Sequence, residues 1–414
     1  MSTQINQASQ SSMYRVALIL TVSLTFMWGM AYGLNDVFSA RFQESIGIDK
    51  FEAGLIQASY FLAYFIMAMP AALFMEKYGY KLGIIGGLTL FAIGSLLTFP
   101  AISASNFWFF LTALFVLACG VACLETAANP YILALGDSET SERRLNLAQS
   151  FNGLGTFLAP LIGATFIFGS GDTNNSPVQV TYLAIAVVAI LLLILIARTR
   201  MPDIRETGIA VSETGQSVPL MKMPHFVHGV IAQFVYTGAQ VGSGAFFITL
   251  AIAKWPGAST REASVFLSIA LAGFMAGRFI STVLMRWISP HRLLGIYGLI
   301  NVVLSALVVI GIPYVSIIAL IATFIFMSIM SPTTMALGLK DLGEKTKRGT
   351  SLQIMAVIGA SAIPLLMGLV AREMSVELAY AIPVVCFAYV GWYGWKGSQL
   401  MQRFHLQSEP ETGA

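Results

Sequence analysis

The sequence predicts an all-α membrane protein with twelve transmembrane helices in two pseudo-symmetric halves of six. Of its 414 residues, 57% are hydrophobic and only 10% are charged, whereas an ordinary soluble domain carries about 25% charged residues. The apolar segments follow one another with few polar breaks, so the natural solvent of this chain is lipid. The distribution of basic residues among the loops and an internal repeat then predict how the helices are arranged.

A helix needs about 20 mostly apolar residues to cross the hydrocarbon layer, and twelve segments meet that requirement. They are roughly residues 14–38, 52–75, 82–101, 106–129, 144–168, 180–198, 225–253, 262–286, 292–311, 314–337, 349–371 and 376–396. Helices are expected because backbone groups in lipid must be satisfied within the segment. Runs this long and continuous differ from the alternating strands of a membrane barrel.

The loops carry their basic residues unevenly. With both termini on one side of the membrane, that side collects seventeen Lys and Arg residues and the other side collects five. Cytoplasmic loops carry an excess of these residues. We therefore expect a multi-pass protein of the cell inner (plasma) membrane with both termini in the cytoplasm.

The two halves of the chain share features in one order. Pro130 and Pro160 have counterparts 202 and 204 positions later, at Pro332 and Pro364. Chance likeness between apolar helices joined by basic turns is the alternative explanation. The repeat predicts an N-terminal half at 1–198, a hydrophilic cytoplasmic linker at 199–224, and a C-terminal half at 225–414 with a short cytoplasmic tail.

Among the acidic residues only Asp36 and Glu125 are assigned to neither loops nor tails, and among the basic residues only Arg278 lies well inside a predicted span. A charge at the bilayer centre costs about 2.5–3.5 kcal/mol on insertion scales, so such groups are expected to face a cavity or a partner. Burial disfavours the charged form of a carboxyl group, and a carboxyl that ionises in only one conformation can carry a proton. Glu125 is the clearest candidate, with a protonated structural carboxyl as the alternative. The Pro130 that follows it predicts a broken helix near a site.

The other two ionisable residues leave more than one interpretation open. Asp36 lies deep in the first span or, as the alternative, at a polar helix end near the outer surface. For Arg278 a structural cation bonded to carbonyl groups or to a carboxylate is slightly favoured over a binding role.

Amide and aromatic side chains form a second group of candidates. Gln149 and Asn152 share one helix face at a spacing of three, and Tyr236 and Gln240 share another at a spacing of four. Amides, carboxylates and aromatic rings are the groups that recognise sugars, although each such residue alone is as often a helix-packing contact. The full set of candidate binding residues is Asp36, Asn35, Glu125, Asn129, Gln149, Asn152, Gln233, Tyr236, Gln240, Trp28 and Gln57, with Tyr32, Tyr60 and Tyr64 as further aromatic candidates.

The motifs of several other protein classes do not occur in the sequence. It lacks a Walker A pattern, a catalytic set, a metal-ligand spacing and a basic cluster dense enough for nucleic acid. The three cysteines all lie in apolar segments, where cysteine packs as a small hydrophobe. We therefore expect no enzyme activity, no cofactor, no metal and no nucleic-acid partner.

Several longer stretches resemble one known family. They include Trp28 through Asp36, Phe51 through Gln57, Cys123 through Pro130, Arg144 through Asn152, Ala232 through Gln240, Gly277-Arg278-Phe279, and Pro332 through Gly343. Together they resemble the fucose–galactose–glucose–proton symporter branch of the major facilitator superfamily. The resemblance spans nearly the whole chain. It implies two six-helix halves that rock around a substrate held between them near the midplane.

The resemblance also implies roles for individual residues. Asp36 and Glu125 match the family's proton and sugar carboxylates, and Asn152 matches its cavity asparagine. Glu125 favours the fucose-like subgroup, and Arg278 and Arg144 are expected to be structural or gating charges. The stretch 241–244, with Val, Gly, Ser and Gly in place of bulkier residues, and a shorter loop after the fifth span depart from the fucose pattern and leave the sugar open.

The resemblance therefore predicts a monomeric symporter that imports a monosaccharide with protons across the lipid bilayer, with L-fucose or a related sugar favoured. One alternative is an importer of glucose, galactose or N-acetylglucosamine, either sodium-coupled or facilitative. The alternative outside transport is a membrane sugar sensor.

Overall fold

The structure is a computed structural model, and it describes residues 13–34, 50–104, 106–166, 176–202 and 219–400. The helices of the N-terminal half within these ranges are α1 (Met13–Leu34), α2 (Lys50–Ser103), α3 (Phe107–Ala134), α4 (Ser141–Phe166) and α5 (Ser176–Arg198). α2 contains two predicted spans, because Gly79 at φ 82° and ψ 170° interrupts its helical backbone. Glycine adopts this left-handed conformation without a steric penalty.

The C-terminal half is built from shorter pieces. Its helices are α6 (Pro224–Ala245), α7 (Phe247–Lys254), α8 (Thr260–Leu284), α9 (Pro290–Ile310), α10 (Val315–Met327), α11 (Met330–Leu339), α12 (Thr346–Met355), α13 (Gly359–Glu373), α14 (Val376–Ala379) and α15 (Ala381–Trp395). α6 and α7 are bent by 49° at Phe246. A short 3₁₀ turn, Ala356–Ile358, separates α12 from α13.

These helices supply the twelve predicted spans, and the all-α fold class is confirmed. Across the described ranges, nine helices, or ten if the bent pair is one span, are long and apolar enough to cross a membrane by length and composition. The count rises from ten to twelve for two reasons. α2 was counted once but contains two predicted spans, and α4, which carries several amide side chains, was not counted among the nine. The predicted bounds agree with the observed bounds to within a few residues.

The prediction of a broken helix at Pro130 is wrong. α3 runs without interruption from Phe107 to Ala134 with Pro130 inside it. Its counterpart Pro332 lies in α11, which is separated from the end of α10 by two residues. The repeated proline is therefore accompanied by a helix break in the C-terminal half only.

The chain divides into two compact units. The first comprises the described residues within Met1–Arg205 together with Thr350–Met355, and the second those within Glu206–Gly349 and Ala356–Ala414. Glycines bring helices close together inside each unit. A Cβ at Gly120 of α3 would collide with the backbone of Phe91 in α2, and one at Gly298 of α9 would collide with Gly391 in α15. Such close approach at small residues is typical of helices packed in membranes.

Candidate functional site

Glu125 lies half-buried well inside α3, and its carboxyl group has a partner on α2. The hydroxyl group of Tyr64 makes a side-chain hydrogen bond to Glu125 and another to Tyr60, with the two tyrosine oxygens 3.5 Å apart. A polar group at membrane depth needs such partners, because lipid offers none. The arrangement can hold a carboxyl group either protonated or ionised, since a hydroxyl group both donates and accepts.

Three tyrosine rings form a continuous row beside this carboxyl group. The rings of Tyr32 in α1 and Tyr60 in α2 meet edge to face, with centroids 5.6 Å apart. The centroids of Tyr60 and Tyr64 lie 5.3 Å apart on one face of α2, as a spacing of four residues requires. The row begins at Tyr64, the partner of Glu125, and continues through Tyr60 to Tyr32 on a second helix.

A pair of amide side chains lies one turn further along α3. Nε2 of Gln149 in α4 donates to Oδ1 of Asn129 at 3.0 Å, and both side chains are buried. The two candidates are thus brought together, on neighbouring helices of one unit.

Asn152 and Trp28 lie where α1 packs against α4. Nδ2 of Asn152 donates to the carbonyl oxygen of Thr25 at 3.2 Å, and Trp28 is 3% exposed. The helices come close because a Cβ at Gly29 would collide with the carbonyl group of Asn152. Part of the hydrogen-bonding capacity of Asn152 is therefore used in joining the two helices.

In the second unit, Gln233 and Tyr236 of α6 both reach the tenth span. Nε2 of Gln233 donates to Oγ of Ser331 at 2.8 Å, and the hydroxyl group of Tyr236 donates to the carbonyl oxygen of Met327 at 2.8 Å. Tyr236 is fully buried. Gln240 is half-buried one turn further along α6.

Both candidate arginines donate to backbone carbonyl groups. Nε of Arg278 donates to Ser328 at 3.0 Å, and its guanidinium lies 4.7 Å from the ring centroid of Phe274. Arg144 donates to the carbonyl oxygens of Leu133 at 2.7 Å, Ile132 at 3.3 Å and Asp137 at 2.6 Å. The last carbonyl groups of a helix lack partners within it, so Arg144 caps the end of α3.

Some candidates lie outside the described residues. Asn35 and Asp36 fall in the gap between α1 and α2, and the side chain of Gln57 is likewise not described. Their predicted roles stay predictions.

The small residues at 241–244 take part in helix packing. A Cβ at Gly242 would collide with the sulfur atom of Met367 in α13. The carbonyl group of Ser243 accepts a hydrogen bond from the hydroxyl group of Tyr380 at 3.1 Å. A bulkier side chain at Gly242 would require the flexible side chain of Met367 to move.

Comparison with known proteins places this geometry in a family. Residues 17–366 match the sequence pattern of the Major Facilitator Superfamily. The chain belongs to the major facilitator superfamily. It is 35% identical over 408 residues to the L-fucose-proton symporter of Escherichia coli (strain K12), covering 92% of this chain and 93% of the relative. It is also 35% identical over 399 residues to the glucose/galactose transporter of Brucella abortus biovar 1 (strain 9-941), covering 95% and 97%.

A solved structure of the same family agrees with the fold. The crystal structure of the transporter FucP in the outward conformation superimposes with a TM-score of 0.84 at 34% identity, covering 92% of this chain and 98% of that one. The family membership that the sequence motifs predicted is thereby confirmed. The protein is a membrane transporter of the major facilitator fold.

Sequence reasoning did not identify the partner of Glu125 or the residues at the break in the tenth span. Tyr60 and Tyr64 stood out only as aromatic residues, and Ser328 and Ser331 not at all. The available signal was the pair of tyrosines four residues apart in one apolar span, which places two hydroxyl groups on one helix face.

Proposed function

We propose that this chain is a proton-coupled symporter that imports a monosaccharide, L-fucose or a related sugar, by alternating access. The observation that carries the proposal is the carboxyl group of Glu125, half-buried in α3 and hydrogen-bonded by Tyr64. The relatives supply the chemical context, since two of them are named for L-fucose with protons and for glucose and galactose.

Glu125 is proposed as the proton carrier, with Asp36 as a second carboxylate. The hydroxyl group of Tyr64 is a hydrogen-bond partner for this carboxyl group in either protonation state. We propose that a change in solvent access between conformations drives the uptake and release of its proton. Coupling follows if the sugar and the proton both favour the same conformation.

Several proposed sugar ligands lie on the helices of the first unit that carry or neighbour this carboxyl group. Asn129 and Gln149 offer amide groups one turn from Glu125, and the row of Tyr32, Tyr60 and Tyr64 offers aromatic faces. Sugars present hydroxyl groups at their rim and C–H groups on their faces, so amides beside tyrosine rings suit both. We further assign to the ligand set Asn35, Gln57, Trp28, Asn152, Gln233 and Gln240.

The cellular setting is proposed on the same footing. We expect a monomer in the inner (plasma) membrane, with both termini and the linker 199–224 in the cytoplasm, on the basis of the seventeen-to-five distribution of basic residues. Fluorescent-protein and alkaline-phosphatase fusions at the C-terminus test the orientation. The fluorescent fusion should be bright and the phosphatase fusion inactive, and the reverse pattern contradicts it.

A counterflow panel in proteoliposomes tests the transported sugar. Each batch of vesicles is loaded with one unlabelled monosaccharide. Vesicles loaded with L-fucose or a related sugar should take up the labelled form of that sugar from outside. External alkalinisation on sugar addition, in the absence of sodium, should accompany net uptake. Counterflow without alkalinisation indicates a facilitator, a requirement for sodium indicates a sodium-coupled importer, and saturable binding without counterflow indicates a sensor. Each of these three results rejects proton symport.

A further inference from the structure

The tenth span is interrupted at a place that the sequence dictates. α10 ends at Met327, α11 begins at Met330, and Pro332 follows. Proline has no N–H group, and its ring excludes the carbonyl group four residues earlier. That carbonyl group belongs to Ser328. Two consecutive carbonyl groups at this break, those of Met327 and Ser328, are bound by side chains from other helices.

Each of these carbonyl groups is held from a different helix. The hydroxyl group of Tyr236 in α6 donates to Met327 at 2.8 Å, and Nε of Arg278 in α8 donates to Ser328 at 3.0 Å. Tyr236 is fully buried and Arg278 is 8% exposed. The break is therefore clamped by two buried donors, and its shape depends on where α6 and α8 place them.

The sequence around Arg278 is suited to this contact. A Cβ at the preceding Gly277 would lie 2.7 Å from the carbonyl oxygen of Ile325 and 2.8 Å from Oγ of Ser328, so glycine allows α8 to approach the break. The guanidinium packs over Phe274, one turn earlier on the same helix, at 4.7 Å. A planar guanidinium can donate at its edge while its face packs on an aromatic ring.

The break also keeps spare hydrogen-bonding capacity. Within the described part of the chain, Oγ of Ser328, Oγ1 of Thr334 and Oε1 of Gln233 are buried without a hydrogen-bond partner. Buried polar groups are normally paired, and exceptions are costly. Groups of this kind around a helix break are available to form new bonds when the break changes shape.

We propose that Arg278 and Tyr236 are positioning residues that fix the break in the tenth span and thereby set the rate of conformational exchange during transport. They act through the backbone of residues 327–328, and they are not ligands of the sugar. This inference rests on the proposed transport function for its kinetic consequence, and it removes Tyr236 from the candidate binding residues that the sequence predicted.

Tyr236→Phe and Arg278→Lys test the proposal, with Tyr297→Phe as the matched control. Tyr297 is also a buried tyrosine of the second unit, and its hydroxyl group lies 2.8 Å from that of Ser281 rather than at a carbonyl group of the break. Its ring packs edge to face on Phe326, with centroids 5.0 Å apart, and phenylalanine keeps that ring. The maximal counterflow rate per folded protein should fall about tenfold in each test variant, since each loses or weakens one buried hydrogen bond. The dissociation constant for the sugar should stay within about twofold of the original value. The control should change neither quantity.

The double variant gives a second criterion. Because both residues act on the same break, it should be little slower than the slower single variant, whereas independent sites would multiply their effects. The proposal is overturned if the sugar dissociation constant rises about tenfold at an unchanged maximal rate, which identifies ligands. It is also overturned if thermal stability falls while the transport of the folded protein is unaltered.

Hydrogen exchange separates failure of this inference from failure of the transport function. Peptides covering residues 325–335 should exchange faster in Tyr236→Phe and Arg278→Lys than in the unmodified protein and in Tyr297→Phe. Peptides from α3 should be unaffected. This measurement needs no sugar, so it decides the positioning role even if the unmodified protein transports none of the sugars tested. Unchanged exchange at 325–335 rejects the clamp. If Arg278→Lys does not fold, Tyr236→Phe, which removes a single oxygen atom, carries the test alone.

Discussion

Tyr64 contributes a hydroxyl group to the carboxyl group of Glu125 from a neighbouring helix, and its removal should be visible in the pH dependence of transport. A hydrogen bond to a charged group contributes about 1.5–3 kcal/mol, which corresponds to roughly one or two pH units. In Tyr64→Phe the ionised form of Glu125 loses this donor. The pH at which transport is half-maximal should therefore move upward by about one unit.

Tyr182→Phe is the matched control for this pH measurement. Tyr182 is another buried tyrosine of the first unit, with its ring centroid 6.3 Å from that of Phe110. Its substitution should leave the pH midpoint where it was. A midpoint that is the same in Tyr64→Phe and the unmodified protein would show that the Tyr64 hydroxyl group does not act on the proton site.

Arg144 affords a second test at the residue scale, this time of stability. It donates to three carbonyl oxygens at the end of α3 and beyond, and hydrogen bonds to charged donors are the stronger kind. Arg144→Ala should therefore destabilise the protein by about 1–3 kcal/mol, measured as a lowered midpoint of thermal unfolding in detergent. Arg143→Ala removes the adjacent arginine, which makes none of these bonds, and should be nearly neutral. Equal effects of the two substitutions would contradict the capping role.

Glu125 could be selected from the sequence because a carboxyl group in an apolar span has an unfavourable free energy of insertion, so such residues are rare. The sequence did not reveal the partner of that group, because Tyr64 and Glu125 meet only through the packing of α2 against α3. Arg144 was predicted to be a structural or gating charge, yet the carbonyl groups that it binds were not predicted. Local sequence patterns therefore do not predict those contacts of the site that join distant parts of the chain.

At the scale of elements, the approach of α1 to α4 is set by glycine. A Cβ at Gly29 would collide with the backbone of Asn152, and one at Gly155 would collide with the carbonyl oxygen of Phe26. Backbone atoms cannot rotate away as a flexible side chain does. Gly29→Ala should therefore destabilise the fold by about 1–3 kcal/mol and displace Asn152, measured by thermal unfolding and by loss of sugar affinity.

Gly86→Ala provides the comparison within the same unit. No heavy atom lies within 4 Å of the position that its Cβ would occupy. Alanine should be tolerated there and should stabilise α2 slightly, by about 0.4–1 kcal/mol. The packing account would be refuted if Gly29→Ala were as well tolerated as Gly86→Ala.

Hydropathy predicted the helices themselves to within a few residues, because the thickness of the bilayer fixes their length. It did not predict which helices are broken. Pro130 and Pro332 occupy equivalent places in the repeat, yet α3 continues through the first and a new helix, α11, begins just before the second. Tyr236 and Arg278 hold the free carbonyl groups beside Pro332, and sequence patterns do not specify such partners.

At the scale of the whole molecule, the carboxyl group of Glu125 is proposed to link proton movement to sugar movement. Glutamine has nearly the shape of protonated glutamate but cannot release a proton. Glu125→Gln should therefore keep the exchange of sugar for sugar and lose the proton-driven step. This separation distinguishes a coupling residue from one that only binds sugar or only supports the fold.

The most direct measurement follows sugar and protons together in proteoliposomes containing the unmodified protein or Glu125→Gln. The unmodified protein should alkalinise the external solution when sugar is added and should concentrate sugar inside when an inward proton gradient is imposed. Glu125→Gln should catalyse counterflow but show neither effect. If Glu125→Gln still accumulates sugar against its gradient, Glu125 is not the proton carrier.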